Sequence, residues 1–431
     1  MNRIEELEKL AKLKEQGILN QDEFNQEKEK LLEQTKSKSF KISKNKFWSF
    51  KKAVFAIISS FIFIGSLVFI FFYDDIFISK KIIMNIGYSF GETPVTVDRL
   101  GNIFFIKENK EKSFLVKYDR KYNNIWSKEI GSVIVSSIIF DGKENIWISG
   151  RTRSAIEGFQ NAGGNWLDVL CFDAFLIKFD NNGNKLWSKQ WGTKKDDTFE
   201  TILTDSLDNI YVFGSTSGSL TNKLNFTGKS DIFIAKLNND GGYLWEKQIG
   251  DTTLYEFINS ATIDDKGNLF ITGAKDSKNI NNDKDFFVLK IDSDGNELWM
   301  KELSTTVYAN PKKIIFDKKG ILTVYIETVA DFENIKNKGE YDIFAIKFDE
   351  NGNKILTEQI GTEKQNKIIS FKADSENNLY LMWSDDEIYN IQKNDKIIKT
   401  FSSQKIKNNV FVEIDNNDVN FIELDEGGIN E

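Results

Sequence analysis

Carboxylates at fixed spacing are the first groups in this chain that could do chemistry. Asp98, Asp141, Asp205, Asp264, Asp317, Asp374 and, more loosely, Asp415 each open a unit of the form Asp-x-x-(Gly/Asn/Asp/Glu)-Asn or a near copy, followed by an apolar strand. Gathered on one face, such carboxylates would attract cations. The spacing is also that of a turn whose leading Asp accepts backbone N–H groups two residues on, and this capping role is the expected one. A second set of acidic turns, DNNGNK from Asp180 and DSDGNE from Asp292, has the look of calcium loops. A calcium loop takes six or more oxygens, usually with a closing Glu, and these turns offer two or three, which suits Gly-containing hairpins instead. The chain has no histidine, which removes the commonest general base and transition-metal ligand. Its one cysteine, Cys171, excludes an intrachain disulfide and a Cys-cluster zinc site. Trp126, Trp187, Trp245 and Trp299 recur once per repeat and could stack a flat cofactor or sugar, but their fixed register favours packing between repeats. No catalytic, cofactor or metal residue is assigned on these grounds. Glycosidase chemistry by carboxylates alone stays open, because acids are plentiful.

The elements that position these residues are set by internal repetition. The segments DAFLIKF (173–179), DIFIAKL (231–237), DFFVLKI (285–291) and DIFAIKF (342–348) align, with KSFLVKY (112–118) a weaker copy. Each leads through a turn to a strand carrying Trp126, Trp187, Trp245 or Trp299, with Leu356 at the fifth site. The first anchor precedes the second by 14 residues in all five copies, and both sets recur at 61, 58, 54 and 57 residues, a regularity that chance does not supply. Adding the Asp-led strand–turn–strand before each hairpin gives four antiparallel strands per repeat, the grammar of a β-propeller blade. The fold class is therefore all-β, a propeller over 80–425 with a tail at 426–431. Seven Asp-led units suggest seven blades, and degenerate last units leave six possible. Residues 82–87, IIMNIG, resemble the outer-strand ending LWSKEIG and should complete the last blade as a clasp, sparing the ring a free edge.

These repeats look like the bacterial SBBP propeller-repeat family, which implies a propeller and little about activity. The turn-to-Trp segment is also similar, more weakly, to quinoprotein-type and outer-membrane-assembly propellers. Quinoprotein sites use a calcium, carboxylates and often an adjacent Cys pair, and a single cysteine excludes that pair. The acidic turns resemble the sialidase Asp-box only superficially, since its Ser-x-Asp-x-Gly-x-Thr-Trp order is not met.

Loop length points to a working face. From each Trp site to the next Asp the gap is 15, 18, 19, 18 and 18 residues, whereas from that Asp to the next hairpin it is 14, 32, 26, 21 and 25 in repeats 1 to 5. The variation thus sits in the loops between second and third strands, which all emerge on one side, and insertions there are cheap and carry function. The longest, 151–172, holds Arg151, Arg153, Phe159, Trp166 and Cys171, and the next, 215–230, holds Phe226. The expected binding face is Arg151, Arg153, Phe159, Trp166 and Phe226.

The N-terminal part reads differently. Residues 53–73 are 21 residues without a charge, long enough at ~1.5 Å per residue to cross a ~30 Å hydrocarbon core. Seven lysines and no acids lie in 36–52, so the positive-inside rule puts the N-terminus in the cytoplasm and the propeller outside. Subtracting these and the −3 of residues 1–35 from the total of −8 leaves −12 on the remainder, which argues against nucleic acid. Residues 1–35 read as two short helices: Ile4, Leu7, Leu10 and Leu13 at helical spacing, Gly17 at a turn, then Asn20 with Glu23 as a capping box. This stretch resembles the bacterial SHOCT family, although SHOCT segments usually lie at C-termini. So small a hairpin buries little apolar surface alone, so self-association is its expected role.

The functional expectation is a single-pass protein of a bacterial cytoplasmic (inner) membrane whose propeller is a binding scaffold for a protein or other ligand outside the cytoplasm. It needs no cofactor and is a possible homo-oligomer through 1–35. The alternatives are a glycan-active or quinone-dependent propeller enzyme and a signalling receptor that reports through the hairpin.

Overall fold

The computed structural model of the chain describes residues 82–86 and, with short interruptions, 94–423. The chain divides into two units, Met1–Phe77 and Ile78–Glu431, and all described residues belong to the second. The expected hairpin over 1–35, linker 36–52, membrane span 53–73 and tail 426–431 lie outside the described residues. Among the described residues no helix is long and apolar enough to cross a membrane, and the named elements are all strands.

Six four-stranded antiparallel sheets follow one another, each ordered as the chain runs. Blade 1 is Val95–Val97, Ile103–Asn109, Lys112–Tyr118 and Asn124–Gly131; blade 2 is Val133–Phe140, Ile146–Thr152, Asp173–Phe179 and Lys185–Trp191. Blade 3 is Asp197–Thr204, Ile210–Thr216, Asp231–Leu237 and Tyr243–Ile249; blade 4 is Glu256–Ile263, Leu269–Asp276, Lys284–Ile291 and Glu297–Leu303. Blade 5 is Ala309–Phe316, Leu322–Thr328, Asp342–Phe348 and Lys354–Ile360; blade 6 is Asn366–Ala373, Leu379–Asp385, Ile388–Lys393 and Lys396–Ser402. First strands of blades 1 to 5 touch in succession, so the first strand is innermost and the fourth outermost. Second and third strands are buried almost throughout, and fourth strands are half exposed. One apolar cluster fills each blade interface from 1/2 to 5/6, so the core is a succession of sandwiches.

The Asp-led units are tight turns. The Asp141 amide donates to the Asn145 carbonyl at 3.0 Å, and the penultimate turn residue is left-handed: Glu144 at φ 63°, Asp208 at φ 61°, Gly101, Gly267 and Gly320 at φ 80–81°. That backbone explains the preference for Gly, Asn and Asp at this place in the repeat. These turns and the hairpins joining third to fourth strands lie on one side of the ring. The loops from second to third strands and the links between blades lie on the other, called here the loop face.

Six four-stranded blades form, not seven. The seventh unit supplies only two strands, Val410–Asp415 and Asp418–Glu423, and with Ile82–Ile86 they make a three-stranded sheet. Ile82–Ile86 pairs with Val410–Asp415 in antiparallel register, Ile82 opposite Ile414 and Ile86 opposite Val410. This early strand does join the last sheet, but not at an outer edge as its likeness to LWSKEIG suggests: it lies against the inner strands of blades 6 and 1. Met84, fully buried, packs with Tyr380, Met382, Ile391, Val412 and Ile414. The Lys372 ammonium of blade 6 donates to the Val95 carbonyl of blade 1 at 2.6 Å and closes the ring.

Candidate functional site

Asp98, Asp141, Asp205, Asp264 and Asp317 are occupied with their own turns, and Asp374 lies outside the described residues. The Asp141 carboxylate accepts the Lys143 and Asn145 amides at 3.0 and 2.9 Å, the Asn145 side chain at 2.9 Å and the Trp147 indole at 3.1 Å. Burial pushes this carboxyl up, and hydrogen bonds from Asn145, Asn239 and Trp147 together outweigh it and hold it below its ordinary value. Asp205, Asp264 and Asp317 accept the same two amides of their turns at 2.8–2.9 Å. Asp98, Asp141 and Asp205 line a turn-side cleft of about 380 Å³ whose carboxylates are thus already engaged. Among the described residues no group of three or more Cys, Asp or Glu is placed to hold a metal ion.

The tryptophans reach across blades. Trp126, Trp187, Trp245 and Trp299 each lie beside the turn glycine of the following blade, Gly183, Gly241, Gly295 and Gly352, where an added Cβ would fall 2.4–3.2 Å from the indole. Trp245 also donates to the Ser293 carbonyl at 3.0 Å. A further set comes to light only here. Lys117, Lys178, Lys236 and Lys290, at the lysine of the aligned third strands, reach carbonyls of the next blade's turn at Asn181, Asn239, Ser293 and Glu350. The first three also pair with Asp98, Asp141 and Asp205 at 3.8, 3.6 and 3.5 Å. Burial holds the Lys117 ammonium below its usual range, against the pull of Asp98 and Glu144. The lysine within each aligned segment was the available signal.

The loop face differs from blade to blade. In blade 2 the long loop carries a small hairpin, Asn165–Trp166 with Val169–Leu170. Its root is clamped: Gln190 donates to the Asp173 carboxylate at 2.8 Å and accepts the Ile156 amide at 2.9 Å, and Asp173 takes the Ala162 amide at 2.8 Å. Gln248 with Asp231, and Gln359 with Asp342, repeat the clamp in blades 3 and 5. Asp173 is fully buried; burial pushes its carboxyl up, and one oxygen, Oδ1, has no hydrogen-bond partner. Asp197, also fully buried at the start of blade 3, is pushed up to about 7 by burial, with the Asp173 charge adding to it. Asp197 accepts the Thr193 amide at 2.6 Å and the Thr216 hydroxyl. Burial likewise raises the Cys171 thiol, which makes it a poor nucleophile.

Arg151 and Arg153 meet on one ring: their guanidinium carbons lie 4.8 and 3.8 Å from the centroid of Phe172. Arg153 is exposed, Arg151 is half buried with its Nε unpartnered, and neither makes an ion pair among the described residues. Arg151 lies near Glu200, a bulged residue of blade 3's inner strand, whose carboxyl burial pushes up while the Thr198 hydroxyl and Arg151 pull it down. Phe159 is half buried in the same loop. Trp166 sits in its hairpin strand, and Phe226 lies outside the described residues. One blade further on, Lys229 stands over the ring of Tyr255 at 4.2 Å, and the rings of Tyr255 and Phe257 are nearly parallel, 6° apart, with centroids separated by 6.1 Å.

No family model matches the chain, so the likenesses to the SHOCT and SBBP families remain resemblances. Over an alignment 151 residues long that covers 33% of the chain, it is 23% identical to an uncharacterised WD repeat-containing protein, L264, of Acanthamoeba polyphaga mimivirus, and it spans 11% of that protein's length. Among solved structures the chain is similar to an ulvan lyase of a polysaccharide lyase family (10% identity, 78% of this chain and 95% of that one, TM-score 0.47). It is also similar to the Dos1 propeller (11%, 79% and 83%, TM-score 0.42) and to a protein of unknown function from Dyadobacter fermentans (9%, 73% and 94%, TM-score 0.43). The chain itself is a β-propeller repeat protein.

Proposed function

We propose that this chain is a membrane-anchored binding scaffold, its propeller outside the cytoplasm, its ligand site on the loop face of blades 2 and 3, and residues 1–35 its self-association element. The observation that carries the reading is the pair Arg151 and Arg153 on Phe172: two cations without ion pairs among the described residues, on the longest loop, whose root is fixed by Gln190 and Asp173. Variable loops on a rigid ring are the usual place for recognition, and a clamped root lowers the entropy lost on binding. The uncharged run 53–73 behind seven lysines supports the anchor and its direction. The test is a pull-down from intact membranes with the full chain and with the Arg153→Ala, Phe159→Ala double variant. A partner retained by the full chain and lost from the variant is the expected result; an unchanged partner list overturns the site.

A second reading, glycan chemistry by carboxylates, draws on Glu200 alone, whose raised carboxyl on the same face suits a general acid. Hydrolysis of any member of a broad glycan panel, abolished by Glu200→Gln, would establish it.

A further inference from the structure

Resting on the loop-face reading, we infer that the ligand of this face is a short stretch of acidic glycan, built of uronate sugars, held across blades 2 to 4. Cations and aromatic planes are interleaved there: Arg151 and Arg153 on Phe172 at the blade 2/3 boundary, then Lys229 on Tyr255 with Phe257 beside it at the 3/4 boundary. The two boundaries are equivalent positions of the repeat: Phe172 precedes Asp173 as Ser230 precedes Asp231, and the first strand of the next blade docks on each, Asp197 to the Phe172 carbonyl and Glu256 to the Ser230 carbonyl, both at 2.8 Å.

Three features select the chemistry. Neither Arg151 nor Arg153 makes an ion pair among the described residues, although Arg151 pulls on the Glu200 carboxyl, and the planar fork matches a carboxylate. Tyr255 and Phe257 are 38% and 39% exposed with their rings parallel to within 6°, a solvent-reaching aromatic pair where most large rings among the described residues are buried. A uronate ring carries a C–H face and a carboxylate on one residue, so it meets ring plane and cation side by side, whereas an acidic amino acid brings a carboxylate alone. The −12 left to residues 53–431 repels long polyanions, which favours a short oligomer reaching the local cations, among them the exposed Lys194 and Lys195 on the link between blades 2 and 3.

The test is titration calorimetry of the full chain in detergent with tetragalacturonate, tetraglutamate and maltotetraose as probes. Tetragalacturonate is expected to bind, maltotetraose to bind at least tenfold more weakly, and tetraglutamate likewise. Arg153→Gln should raise the Kd for tetragalacturonate at least tenfold and Phe257→Ala at least fivefold, both with melting temperatures near that of the parent chain. The inference is overturned by absence of tetragalacturonate binding, by a Kd indifferent to both substitutions, or by equal binding of tetraglutamate, which would make the face a site for acidic peptides. Failure here leaves the scaffold reading intact if the Arg153→Ala, Phe159→Ala variant still loses its partner. Uronate binding with a partner list unmoved by that variant would instead retain the glycan site and remove the partner.

Discussion

At the residue scale, a buried carboxyl makes stability depend on pH. Asp197 is pushed up to about 7, so between about pH 4 and pH 7 the unfolded chain has released a proton that the folded chain keeps. Its contribution is full below that window and falls as pH rises through it, by at most about 1.4 kcal/mol per pH unit. Blade 6 shows how the fold manages without the charge: Asn366 stands at the equivalent place, accepts the Thr362 amide at 3.1 Å and donates to Asp342 at 3.1 Å. Asp197→Asn is therefore expected to fold, to be at least as stable as the parent at pH 8, and to flatten the fall in urea stability between pH 5 and pH 7; an unchanged slope would place the proton elsewhere. Lys178→Met removes the cation 3.6 Å from buried Asp141 and the cap on the Asn239 carbonyl, and should cost about 3 kcal/mol in urea unfolding. A loss below about 1 kcal/mol would mean the turn's own donors suffice for Asp141. Arg151 and Arg153 were legible in the sequence because they stand in the longest loop of an arginine-poor chain. Phe172 beneath them, Glu200 beside them and the Tyr255–Phe257 platform were not, because different strands and blades bring them there.

At the scale of elements, the hairpin between third and fourth strands is both turn and interface. Gly241 has φ +82° and an added Cβ would meet the Trp187 ring at 2.4 Å, whereas Gly320, at φ +80°, has nothing within 4 Å. Gly320→Ala should lose only the left-handed penalty of about 1 kcal/mol, and Gly241→Ala about 3 kcal/mol once the clash is added. Equal losses in thermal unfolding would show that Trp187 yields freely. The strands, turns and hairpins were readable because each repeat states them again at constant spacing, down to the left-handed residue that Gly fills in three described turns and Asp208 and Glu144 in two others. The interblade lysines were harder to read: a lysine inside an apolar strand run reads as a solvent-facing position, and its acceptor belongs to the next repeat. The blade count misled for a related reason, since Asp415 announces a unit but joins only the two strands Val410–Asp415 and Asp418–Glu423, with no third and fourth strand after them among the described residues.

At the scale of the molecule, five interfaces between blades repeat one design, and the closing sheet between blades 6 and 1 is the non-repeating part. Met84→Ala should cost about 3 kcal/mol, a fully buried methionine lost from a cluster joining the closing sheet to blade 6. Hydrogen exchange should then quicken first in blades 6 and 1 rather than around the ring, and uniform quickening would argue that the ring unfolds only as a whole. The closure also has a consequence for biosynthesis. Ile82 pairs with Ile414, so the strand Ile82–Ile86 waits for a partner about 330 residues later, roughly 15–65 s at ~5–20 residues per second. Blades 1 to 5 can assemble one against the next during that delay, but the ring has no seam to close until Val410–Asp415 has been made. A nascent chain stalled before residue 410 is thus an open arc with two bare ends, a ready substrate for chaperones and proteases.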